Sequence, residues 1–142
     1  MAIDCVFLSS FENDVRFATN VLATAGICLH HAGSTDEADF LLIATAATVL
    51  ISDVTYVYGT WKDTLQMLRE THPLVAAVLC ADDGDGEIAS RAVHCGFINV
   101  CRKPLVISTL TAAIRKAHDV TFERMIAAEG AAEATNAALG TR

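Results

Sequence analysis

Five short apolar runs, Ile3–Leu8, Ile27–His30, Val49–Ser52, Val75–Cys80 and Ile98–Cys101, recur along the chain, each followed by a longer stretch of helical periodicity. This alternation constrains the fold more than any other feature, because strand, crossover helix and next strand build a parallel sheet. The runs are near-continuously apolar instead of alternating, which fits strands covered by helices on both faces. The expected class is therefore α/β and doubly wound. With 142 residues there is room for one such domain.

The helical stretches carry their own boundary signals. Ser34 with Glu37, and Thr60 with Asp63, have the spacing of capping boxes. Gly26 and Gly96 stand between a helical stretch and a strand, where positive φ closes a helix. In the last helix Val106, Leu110, Ala113, Ile114 and Ala117 form one apolar stripe. Beyond Val120 the pattern weakens into Ala-rich sequence. The expected division is a domain over 1–122 and a C-terminal helical extension or tail over 123–142.

Several functions are excluded by charge and hydropathy. A formal net charge of −7 leaves no basic field to hold a phosphate backbone, so nucleic-acid binding by this chain is not expected. The most apolar stretch, Phe40–Ile51, is too short to span a bilayer, and Asp4 interrupts any secretory start. No membrane segment is read, and a cytoplasmic location is expected. The five cysteines show no C-x-x-C spacing, and four of them (Cys5, Cys28, Cys80 and Cys101) fall in the strand runs, which predicts buried free thiols. His30-His31 reads as a polar strand end, since no cysteine or carboxylate stands at ligand spacing.

In an open parallel sheet, reactive groups collect at the carboxyl ends of the strands. Those ends read Ser9-Ser10-Phe11-Glu12, Ser52-Asp53, Cys80-Ala81-Asp82-Asp83 and Cys101-Arg102-Lys103-Pro104. Asp53 and Lys103 stand out, fifty positions apart. A strand-end carboxylate can attack a phosphoryl group if a cation neutralises the charge on the transferring oxygens.

With Val49-Leu50-Ile51-Ser52-Asp53-Val54, Cys80-Ala81, and Gly96 leading to Lys103-Pro104, the chain resembles the response-regulator receiver domain of two-component signalling. The resemblance covers roughly Ala2 to Val120. It implies a flavodoxin-like (βα)5 fold with strand order 2-1-3-4-5, and a phosphorelay role without enzymatic turnover. Asp53 is then the phospho-acceptor and Lys103 the phosphate-contacting cation. The implied partner is a histidine kinase, a phosphotransfer protein or another signalling protein. Helix 4, strand 5 and helix 5 are the implied face for docking or homodimerisation, here carrying Arg91, His94, Arg102, Arg115 and Lys116.

Departures from the family pattern imply an alternative, a phosphorylation-independent pseudo-receiver acting as a protein-interaction module. Ser10 and Phe11 replace the usual acidic pair that binds Mg2+ beside the acceptor, leaving Asp53 and Glu12 as the metal-ligand candidates; magnesium binding is expected to be weak or lost. The switch hydroxyl falls on Cys80 or Ala81 and is lost in either case. Val100 replaces the usual switch aromatic.

Overall fold

The computed structural model describes residues 2–140, and side chains through residue 137. Strands β1 (Ile3–Leu8), β2 (Ile27–Ala32), β3 (Val49–Asp53), β6 (Ala76–Ala81) and β7 (Asn99–Arg102) form one parallel sheet in the order β2-β1-β3-β6-β7. A small antiparallel hairpin, β4 (Thr55–Tyr56) and β5 (Gly59–Thr60), interrupts the chain after β3. Without it the order is the expected 2-1-3-4-5. The hairpin escapes the sequence pattern because two-residue strands have no period to detect.

Helices α1 (Glu12–Ala23) and α5 (Ile107–Gly140) cover one face of the sheet. Helices α2 (Thr35–Thr45), α3 (Trp61–Thr71) and α4 (Gly86–Cys95) cover the other. Each face buries its own cluster: Phe7, Leu22, Ile51, Leu110 and Ile114 on one, Leu8, Leu50, Leu65, Leu79 and Phe97 on the other. At roughly 1.5–3 kcal/mol for each large side chain taken out of water, these two layers supply the main driving force for folding.

The local signals act as their chemistry requires. Ser34 accepts the Glu37 amide, and Thr60 with Asp63 closes a reciprocal capping box at the start of α3. Gly26 and Gly96 adopt φ of 76° and 141°, the region in which a β-carbon is unfavourable. Two expectations need correction. Val106 lies before α5 and is exposed, so the buried stripe begins at Leu110. Cys28 is exposed, because β2 is an edge strand and its α2-side end is uncovered. α5 runs unbroken across residue 122 to Gly140, and residues 125–137 are exposed along it. The last two residues of the expected extension, 141–142, lie outside the described residues.

Candidate functional site

Parallel register brings the strand ends together. Asp53 pairs with Cys80, Leu8 with Ser52, and Ala81 with Arg102. The Lys103 amide donates to the Ala81 carbonyl at 2.9 Å, which holds that lysine at the head of the sheet. Its ammonium lies 2.9 Å from Asp53 Oδ1 and 2.9 Å from Asp14 Oδ2. The two candidates named from sequence therefore meet.

Asp53 is 1% exposed. Its Oδ2 accepts the Ser9 hydroxyl, and its Oδ1 faces Lys103 alone among the described residues. Burial pushes the Asp53 carboxyl above its ordinary value, while Ser9 and Lys103 only partly oppose that shift. For Lys103, burial acts to lower the value, but hydrogen bonds and attraction from Asp14 and Asp53 outweigh it and the net direction is up.

Two functional neighbours were invisible in the sequence. Asp14, on the first turn of α1, contributes the second carboxylate on Lys103. Ser9, fully buried, donates to Asp53 and accepts the Phe11 amide at 3.0 Å. Four side chains at the end of β1 compete for the site, and their spacing alone does not say which will turn inward. The helical turn that selects Asp14 is set by Phe11, the residue capping α1.

The remaining candidates lie as follows. Phe11 sits over Lys103, its ring centroid 4.1 Å from the ammonium, while half its surface faces solvent. Such a contact contributes about 0.5–1 kcal/mol to holding the cation. Ser10 turns away and accepts the Val57 amide at 2.8 Å, tying the β4–β5 hairpin to the β1–α1 loop. Glu12 is exposed beside Ser10 and Tyr58 and makes no recorded contact with Asp53 or Lys103 among the described residues. Cys80 shares the Asp53 face but is a buried thiol with a strongly raised pKa, caused first by desolvation. Ala81 faces the opposite layer. Neither provides a hydroxyl.

The residues present do not fit a magnesium ion. Octahedral coordination needs hard oxygens around an accessible centre. Here Asp14 and Asp53, the only carboxylates at the site among the described residues, already share the Lys103 ammonium, and a phenyl ring covers it. The two carboxylates are already bridged by the protein's own cation.

On the docking face, Arg91 is exposed, and Arg102 is exposed and 3.9 Å from Asp83. Arg115 instead reaches the Ala25 carbonyl at 3.5 Å, beyond α1, and so leaves that face. His31 Nε2 donates to the Ser9 carbonyl oxygen at 2.8 Å, so Nε2 carries the proton. His30, read from sequence as part of a polar strand end, lies close to both Asp4 and Cys28.

The same architecture recurs in many solved structures. A response regulator receiver domain protein from Clostridium thermocellum superposes with a TM-score of 0.74 at 20% identity, covering 82% of this chain and 94% of that one. The fold is that of a receiver domain. A putative response regulator from Chloroflexus aurantiacus gives a TM-score of 0.76 at 16% identity over 84% of this chain and 99% of the other. NtrX from Brucella abortus gives 0.80 at 18% identity; the match covers 91% of this chain but 29% of NtrX. No protein-family model matches the chain, and no curated protein matches it in sequence. Identities at this level show a shared fold alone. No helix among the described residues is long and apolar enough to cross a membrane.

Proposed function

We propose that the chain is a receiver-like domain of phosphorelay signalling, with Asp53 at the phospho-acceptor position. The observation that carries this reading is the Asp53–Lys103 pair, 2.9 Å apart at the carboxyl ends of β3 and β7. In the proposed step a carboxylate oxygen of Asp53 attacks the phosphorus of a donor phosphoryl group. The bond from phosphorus to the donor breaks, and the leaving group departs with that electron pair. Lys103 neutralises the charge on the transferring oxygens, and Ser9 is the hydroxyl available to them in place of one at Cys80 or Ala81. The donor is a histidine kinase or a phosphotransfer protein. Output passes through contacts of α4, β7 and α5, where Arg91 and Arg102 form a basic edge on an acidic protein; a second copy of the chain is one candidate partner there.

A second reading, the phosphorylation-independent interaction module, is favoured by the burial of Asp53 and the engagement of both its oxygens. A donor gains access only if the Ser9–Glu12 loop moves. Intact-mass analysis after incubation with acetyl phosphate, with and without magnesium, separates the two. The phospho-acceptor reading expects one phosphoryl adduct, little affected by magnesium and absent from Asp53→Asn. An unmodified wild type in every condition selects the interaction module.

A further inference from the structure

The pairing of β1 with β2 sets Asp4 directly beside Cys28, and Val6 beside His30. Successive side chains alternate between faces, so Asp4, Cys28 and His30 stand together on the α2 side of the sheet. One carboxylate oxygen of Asp4, the Cys28 Sγ and one ring nitrogen of His30 all lie within 4.8 Å of one another. His30 Nε2 is 3.1 Å from Asp4 Oδ1. Cys28 is exposed and the other two are partly so, which leaves the cluster open to an ion from solvent. It shares no residue with the Asp53 site, and it lies at the other end of the strands, roughly 13 Å along β1 from the strand terminus.

We propose that Asp4, Cys28 and His30 form a zinc site. Thiolate, imidazole and carboxylate are the donors zinc takes, and at usual zinc bond lengths tetrahedral ligand atoms lie about 3.4–3.6 Å apart. The 3.1 Å separation of Nε2 and Oδ1 is already close to that spacing. The thiol needs to close at most about 1.4 Å, which an exposed cysteine achieves by a change in χ1. Two anionic donors attract a dication, and the soft thiolate selects zinc over magnesium and calcium. Three protein ligands leave the fourth position to water or to a donor from another molecule.

The physical consequence is a clip across the sheet edge. Binding displaces the Cys28 thiol proton and ties edge strand β2 to β1, so the folded state gains stability from the metal. A surface histidine paired with an aspartate would do neither.

Cobalt titration of the full chain, followed by zinc displacement, provides the test. A thiolate-to-cobalt charge-transfer band and intense tetrahedral visible bands are expected, both erased by one equivalent of zinc. Cys28→Ser should abolish the charge-transfer band, and His30→Gln or Asp4→Asn should weaken zinc binding at least about tenfold. Cys95→Ser, which removes the other exposed thiol, should leave the spectrum intact. Because Cys28 is exposed, its serine variant should melt like the wild type in the presence of chelator, while zinc raises the melting temperature of the wild type alone. Absence of the band, its persistence in Cys28→Ser or its loss in Cys95→Ser overturns the assignment.

Discussion

Replacing Asp53 by Asn should stabilise the protein at neutral pH. Asp53 carries its charge with 1% exposure, and burial drives its pKa up despite the hydrogen bonds from Ser9 and Lys103. A carboxyl whose folded value lies above the unfolded one binds its proton more tightly in the native state. Its contribution to stability is therefore fully present below the ordinary value of 3.8 and is lost as pH rises through the raised one. Asn keeps the shape and can still take the Ser9 hydroxyl, but carries no charge to desolvate. Lys103 is not orphaned, since Asp14 remains 2.9 Å away. Breaking a buried pair normally costs several kcal/mol because one charge is stranded; here the retained Asp14 removes most of that penalty. An imperfectly compensated buried group costs about 1–3 kcal/mol, so a net gain of about 1 kcal/mol is expected, or about 3–5 °C in Tm for a chain of this size. Thermal and urea melts of both proteins from pH 3 to pH 8 measure it. The advantage of the variant should grow as pH rises and then level off. A variant less stable than wild type at pH 7, or an advantage confined to acid, refutes the reasoning.

Three further outcomes follow from the same geometry. Phe11→Asp should raise magnesium affinity severalfold by isothermal titration at little cost in stability, since Phe11 is half exposed; a wild type that binds magnesium as tightly would show that the existing carboxylates accept the ion. Native thiol labelling should modify Cys28 and Cys95 rapidly and spare the other three, because burial raises Cys5 to about 12, Cys101 to about 11 and Cys80 well above its ordinary value; rapid reaction of all five contradicts the burial of β1, β6 and β7. Arg91→Glu with Arg102→Glu should weaken association with an acidic partner surface at low salt in a pull-down or sedimentation assay, and unchanged binding removes that face from consideration.

How far the sequence could be read depended on the range of the interaction involved. The sheet was legible because residues 49–51 and Ala76–Ala81 are apolar throughout, a signature that fits a strand covered on both faces. Asp53 was legible because it ends such a strand, and Lys103 because it directly follows the last strand. Asp14 was not, since which residue of a first helical turn points inward depends on where the helix starts, and Phe11 is not an obvious cap. Ser9 was overlooked in favour of Ser10 for a related reason: a shift of one residue along a strand end reverses the face. The Asp4, Cys28 and His30 cluster depends on the register between β1 and β2, which no spacing along one chain encodes. The β4–β5 hairpin is held by tertiary bonds, with the Tyr56 hydroxyl donating to the Thr60 carbonyl and pairing with Thr64, itself joined to Ser52.

The most direct test of the role proposed for Asp53 is borohydride trapping after exposure to acetyl phosphate, read by peptide mass spectrometry. Reduction converts an aspartyl phosphate to homoserine and so marks the carboxylate that took the phosphoryl group. The expected result is homoserine at position 53 alone, formed slowly and at the same rate with or without magnesium. Homoserine at position 14, 5-hydroxynorvaline at position 12, or no reduced residue at any position, contradicts the assignment of Asp53 as the acceptor.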